Sequence, residues 1–260
     1  MARYFALTLI SLSMLAAQPA LRPPQMGFAS VSDGTLRPVY GVAGNFVLGP
    51  SVATTVLSQA FSGSLGLLKT DTTLKAFDAQ GHVLGTSDAA PGPALFAFSP
   101  DGVTALAYIA TSNTLMEWSR NSFATVPIRP ETSAYDLVIA IAFPNAFEAS
   151  LIVQRNTAIW QVQLPFTRAK VVSQKPLAGV TAPVLALSSG DLVFTNAQGL
   201  MLRHPDGSDV HIPGPLPSNF SLQQMGAEWV QLSDLESSRR FAIRISPGRE
   251  AFYQLPEAGQ

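Results

Sequence analysis

Apolar and polar positions along this chain alternate in short bursts rather than in long amphipathic stretches, and the bursts recur. Phe28–Val31, Leu65–Leu68, Ala105–Ile109, Leu151–Val153, Leu192–Phe194 and Trp229–Leu232 are runs of strand length, too short for helices. Each is followed by a segment that resembles the others: Thr35–Val39, Thr73–Phe77, Thr114–Trp118, Thr157–Trp160, Gly199–Leu202 and Arg240–Ile243. Their closing apolar residues, Val39, Phe77, Trp118, Trp160, Leu202 and Ile243, are spaced by 38, 41, 42, 42 and 41 residues. A third set comes next, at Phe46–Leu48, His82–Leu84, Phe123–Val126, Lys170–Val172, Val210–Ile212 and Phe252–Leu255. A fourth precedes five of the six units, at Thr55–Phe61, Ala94–Phe98, Leu137–Phe143, Val184–Leu187 and Phe220–Met225. Gly, Asp, Asn, Ser or Pro occupies most of the gaps, as tight turns require.

Four short strands in a repeat of about 40 residues describe a propeller blade. The pattern predicts an all-β, six-bladed β-propeller of about four antiparallel strands per blade, spanning residues 21–260. Five blades with an N-terminal extension, or a β-sandwich, are the alternatives. The first unit has no innermost run, because Leu21–Gln25 is proline-rich. It is expected either to have three strands or to close the ring against the C-terminal unit.

Phe98-Ser99-Pro100-Asp101-Gly102 resembles the strand-turn-strand signature of Tol-type and other bacterial propeller repeats. Phe143-Pro144-Asn145 and Leu187–Asp191 stand at matching places in the following units. The resemblance covers roughly residues 26 to 256 and implies architecture only. The Gly-His and Trp-Asp pairs of WD repeats and the glycine-aromatic patterns of kelch repeats are absent.

The N-terminus departs from this pattern. Arg3 precedes Tyr4–Ala17, an uncharged run too short to span a bilayer, and small residues with Pro19 follow. Residues 1–20 therefore read as a signal peptide cleaved after Ala17 or Ala20, sending the protein to the periplasm or the cell exterior. With no cysteine, the chain has neither disulfides nor a lipidation site of that kind. Removing Arg3 leaves 15 basic and 17 acidic residues, which gives no electrostatic reason to expect nucleic acid as partner. No second apolar stretch has membrane-spanning length, so the mature protein is expected without a membrane span and as a monomer.

Candidate chemistry is sparse. The turns between the second and third strands carry Asp33, Asp71, Asn113, Asn156, Asn196 and Asp234, which a propeller places on one face around its channel. Such a ring suits a cation, a sugar or a partner's basic group, but Asp and Asn also favour tight turns for backbone capping alone. His204, Asp206, Asp209 and His211 flank a Pro-Asp-Gly turn and have the ligand types of a zinc or copper site. An ordinary hairpin accounts for them equally, and no metal or other cofactor is assigned. A channel cation held by several blades has no spacing signature. Trp118, Trp160 and Trp229 are expected in the core between blades. Neither a nucleophile elbow nor a phosphate loop is present.

The expected function is therefore that of an exported binding or protein-interaction scaffold, its partner an unknown protein or small polar ligand. A hydrolase or lyase with its site at the channel mouth is the alternative. N-terminal sequencing of the exported protein is expected to begin at Gln18 or Leu21; a product beginning at Met1 overturns the leader.

Overall fold

The computed structural model describes residues 23–126, 136–145, 147–166 and 173–257. Residues 1–20, expected to be a leader, and the Lys170–Val172 run lie outside the described residues. The rest forms six consecutive antiparallel sheets. Blade 1 comprises β1 (Gln25–Ser30), β2 (Leu36–Val42) and β3 (Asn45–Leu48); blade 2 comprises β4 (Ser58–Phe61), β5 (Leu65–Lys69), β6 (Thr73–Asp78) and β7 (Val83–Asp88). Blade 3 contains β8 (Ala94–Phe98), β9 (Ala105–Ile109), β10 (Thr114–Ser119) and β11 (Ser122–Thr125). Blade 4 contains β12 (Leu137–Asn145), β13 (Glu148–Arg155), β14 (Ala158–Pro165) and β15 (Ser173–Pro176). Blade 5 has β16 (Thr181–Ala186), β17 (Leu192–Asn196), β18 (Gly199–Arg203) and β19 (Asp209–Ile212). Blade 6 has β20 (Phe220–Gly226), β21 (Trp229–Asp234), β22 (Arg240–Arg244) and β23 (Ala251–Gln254). The protein is a six-bladed β-propeller, and among the described residues blade 1 has three strands and each other blade four.

Alternation of side chains along a strand turns each blade into a two-sided wedge. In β9, Ala105, Ala107 and Ile109 pack toward blade 2, while Leu106 and Tyr108 pack toward blade 4. In β13, Leu151 and Val153 face blade 3 and Ile152 faces blade 5. The buried apolar residues accordingly fall into six clusters, one for each pair of neighbouring blades. A fully buried leucine such as Leu67 contributes roughly 1.5–3 kcal/mol through removal of its side chain from water.

The same alternation corrects one equivalence read from the repeat. Val39, Phe77, Trp118 and Ile243 each face the preceding blade, but Leu202 faces the following one. The residue of blade 5 that faces backward is Met201. A shift of one residue changes the face, and spacing alone cannot register it. Trp118 and Trp229 are buried between blades, as expected, whereas Trp160 is half-buried beneath the Arg155 guanidinium, 5.4 Å from its ring centre.

Among the described residues the ring closes without strand exchange: the strands of blade 1 are N-terminal and those of blade 6 C-terminal. Among the described residues no strand covers the inward edge of β1. Instead β4 and β20 meet directly in front of it, so five strands, β4, β8, β12, β16 and β20, surround the channel. Glutamine amides occupy the place of the missing strand. The Ser30 N–H donates to Gln231 Oε1 (3.0 Å), and Gln231 Nε2 donates to the Ser30 carbonyl (2.8 Å). Gln59 Nε2 donates to the Phe28 carbonyl and to Gln223 Oε1, both at 3.4 Å. Across the two seams of blade 1, Phe46 packs edge-on against Trp229 at 5.6 Å and Phe28 against Phe61 at 4.9 Å.

Fully buried Gln231 therefore acts as a one-residue strand. Gln231→Leu keeps its approximate volume but strands the Ser30 N–H and carbonyl away from water, at about 1–3 kcal/mol for each unsatisfied group. Urea unfolding is expected to show a loss of roughly 2–4 kcal/mol; an unchanged midpoint overturns this account of ring closure.

Candidate functional site

The inner strands all start at one face. Their pairings set Ser58 opposite Lys69, Ala94 opposite Ile109, Leu137 opposite Gln154, Thr181 opposite Thr195, and Phe220 opposite Asp234. Each turn between second and third strands thus lies beside the start of an inner strand, and the segments joining successive blades cross the same face. Hydrogen bonds tie the two together, for example from the Leu57 N–H to the Lys69 carbonyl and from the Leu235 N–H to the Asn219 carbonyl.

A recess of about 620 Å³ opens at this face. Its walls come from β4, β8, β12, β16 and β20, with Leu95, Ile139, Leu185 and Leu222 among the apolar groups. Ser58, Gln59, Gln154, Ser221, Gln223 and Gln224 supply the polar ones, and among the described residues no Asp, Glu, Lys, Arg or His lines it. At the rim Leu57, Leu137 and Leu235 are 47%, 60% and 59% exposed. Large apolar side chains left this open on one rim are what a binding surface presents. Each inner strand is also hydrogen-bonded on one side only, so its free edge offers backbone N–H and carbonyl groups to the channel. Buried Gln59 Oε1 has no hydrogen-bond partner among the described residues.

The six Asp and Asn residues encircle this recess at the turns, and the structure shows what their polar groups do. Asp33 Oδ1 accepts from the Thr35 N–H (2.9 Å) and hydroxyl (2.6 Å), and these bonds hold its carboxyl below the ordinary range. Asp71 Oδ1 accepts from the Gly92 N–H at 3.3 Å, and its carbonyl receives the buried Lys69 ammonium. Asn196 Oδ1 accepts from the Gln198 N–H at 2.8 Å. Asn113 and Asn156 hold left-handed backbone, with φ of 49° and 53°, and Asn113 also accepts from the Tyr108 hydroxyl. Asp234 accepts from the Ser237 hydroxyl (2.5 Å), the Glu236 N–H (3.0 Å) and Arg239 (3.0 Å). The fold brings all six to one face, where the side chains of Asp33, Asp71, Asn113, Asn196 and Asp234 are each engaged by nearby groups.

The histidine group separates. His204 Nδ1 lies 2.8 Å from Asp191, Asp209 pairs with Arg203, and Asp206 accepts from Ser208. Among the described residues no three or more His, Asp or Glu side chains are placed to hold a metal ion. His204 borders a second recess, of about 480 Å³, at the opposite end between blades 4 and 5. There the Ser189 hydroxyl donates to Asp191 rather than to the imidazole, so the trio lacks the serine–histidine contact of a nucleophile relay.

Sequence reasoning missed the apolar rim and the ion pair that steadies it at blade 4. Arg155 makes a two-pronged contact with Asp136, at 2.9 and 3.0 Å, next to Leu137. One signal was present: Leu137–Phe143 is apolar at both parities, as a strand enclosed on both sides must be.

Fold and site together define a six-bladed propeller with an uncharged, apolar recess at one mouth. No family model and no curated protein matches the sequence. Among solved structures, a chain of the nidogen/laminin complex is similar with a TM-score of 0.54 and 8% identity, over 90% of this chain and 99% of its own. The Swd1 β-propeller domain from Myceliophteria thermophila is similar with a TM-score of 0.46 and 10% identity, over 79% and 72%. Hydrazine synthase from Kuenenia stuttgartiensis gives 0.49 and 12%, over 89% and 80%. At 8% identity the likeness to the nidogen/laminin chain is one of fold alone.

Asp234 provides a pH test of the turn assignment. The Ser237 hydroxyl, foremost among its donors, lowers its carboxyl from the ordinary 3.8. A carboxyl lowered by folding adds stability above its unfolded value, and that stability disappears as pH falls through the folded value. In urea unfolding, wild type is expected to exceed Asp234→Asn at pH 7, and the two to converge below pH 3.8. A gap that stays constant across this range overturns the assignment.

Proposed function

We propose that this protein is an exported binding protein that recognises its ligand or partner at the leucine-rimmed channel mouth, and that its role is recognition rather than catalysis. The observation that carries this reading is the 620 Å³ recess, with its uncharged lining and the exposed Leu57, Leu137 and Leu235 around it. Concave, mostly apolar sites with a few placed polar groups are the usual form of ligand sites. Catalysis at this mouth by metal and carboxylates requires several such groups to converge. Asp33, Asn196 and Asp234 are instead occupied with their own turns. Export rests on the leader, and kinship with bacterial Tol-type repeats rests on Phe98–Gly102 and its counterparts.

The test uses the full-length protein recovered from its own cells under non-denaturing conditions, with native mass spectrometry reading any associated molecule. The double change Leu137→Asp, Leu235→Asp is expected to abolish the association without altering the thermal midpoint. Val103→Asp, at a 66% exposed position in the turn between β8 and β9 on the opposite face, is expected to retain it. An association that survives the rim changes overturns the reading.

A further inference from the structure

We propose that the mouth-side recess takes an uncharged, predominantly apolar small molecule bearing hydroxyl or amide groups, an inference that rests on the recognition reading above. Shape comes first. The lining is drawn from the mouth-side part of each inner strand: Ser58–Ala60, Ala94–Phe96, Leu137–Ile141, Ala182–Leu185 and Phe220–Gln224. At about 3.3 Å per residue these stretches make a well roughly 10–16 Å deep. Five strands enclose it, so an occupant enters end-on through the mouth. A folded partner's surface reaches the rim alone, whereas a small molecule fills the depth. The volume, about 620 Å³, falls within the ordinary small-ligand range of roughly 300–1,000 Å³.

Charge narrows the class. Among the described residues the wall has amides, hydroxyls and hydrocarbon but no ionisable side chain. An ionic group drawn into it loses its hydration and meets no counter-charge, which is strongly unfavourable. Neutral donors and acceptors fare differently. The free edges of the inner strands present backbone N–H and carbonyl groups, and Gln154, Ser221 and Gln224 add side-chain partners. A hydroxyl or amide on the ligand is therefore matched, while its hydrocarbon covers Leu95, Ile139, Leu185 and Leu222. The rim leucines are positioned to lie over the occupant as it seats. The ring of Asp and Asn turns stands outside this well and does not set the ligand's polarity.

The experiment uses the neutral dye Nile red with the whole mature protein at pH 8, displaced by 1-dodecanol, dodecanoate or dodecyltrimethylammonium below their aggregation concentrations. Dodecanol is expected to displace the dye, with both ions at least ten-fold weaker. Leu137→Asp is expected to weaken dye binding by at least ten-fold, which places the dye at the mouth. Ser221→Asp puts one charge in the wall and is expected to improve dodecyltrimethylammonium at least ten-fold over wild type. Ser221→Lys is expected to do the same for dodecanoate, so either variant suffices if the other fails to fold. Equal displacement by all three chains, dye binding indifferent to Leu137→Asp, or no dye binding at all overturns the proposal. Failure here alongside an association that the rim changes abolish removes this ligand class and leaves the recognition reading standing.

Discussion

The inward edge of β1 has backbone donors and acceptors but no strand beside it among the described residues, and much of the ring's geometry follows from how that edge is satisfied. A buried edge left bare is strongly unfavourable, because each unpaired N–H or carbonyl forfeits its hydration without replacement. Here Gln231 reaches from blade 6 to bond the Ser30 N–H and carbonyl, and Gln59 reaches from blade 2 to the Phe28 carbonyl. Amide side chains carry a donor and an acceptor in the same arrangement as a peptide group, so they can stand in for a strand. With that edge satisfied, β4 and β20 close over blade 1, and the channel is walled by five strands although the ring has six blades. A narrower circle of inner strands, apolar at its mouth, is the result.

The mouth separates two kinds of polarity that a linear reading merges. Asp and Asn at the turns satisfy nearby N–H and hydroxyl groups, as short polar side chains do where the backbone reverses. The well inside them is lined by strands, whose side chains are chosen for packing against neighbouring blades. Leu95, Ile139, Leu185 and Leu222 belong to that second population and give the recess its apolar character. The chemistry of the site therefore follows from blade packing more than from the polar ring around it.

Legibility in the sequence tracks how local each determinant is. Strand length, turn residues and the repeat near 40 residues are local, and they led to the blades and to the missing innermost strand of unit 1. Assigning a residue to one face of a blade needs the register as well. Leu202 and Met201 are both apolar, and only the pairing of β18 with β17 decides which of them faces blade 4. Trp160 occupies a repeat position like that of Trp118, yet it lies half-buried under Arg155 instead of between blades. The apolar parity of Leu137–Phe143 was readable, but not that it borders a cavity as well as two blades.

By itself the sequence determined an all-β repeat of six units, the turns that punctuate it, and the gathering of Asp33, Asp71, Asn113, Asn156, Asn196 and Asp234 on one face. These follow from side-chain alternation and backbone propensity, which act over a few residues. Only the tertiary structure decided how the ring closes, which residues meet across its seam, and that the mouth is an uncharged apolar well. Those outcomes depend on groups far apart in the chain, such as Ser30 and Gln231, or Gln59 and Gln223, whose meeting is set by the angle and number of blades. No spacing along the chain encodes a contact that exists only once six wedges have been packed into a circle.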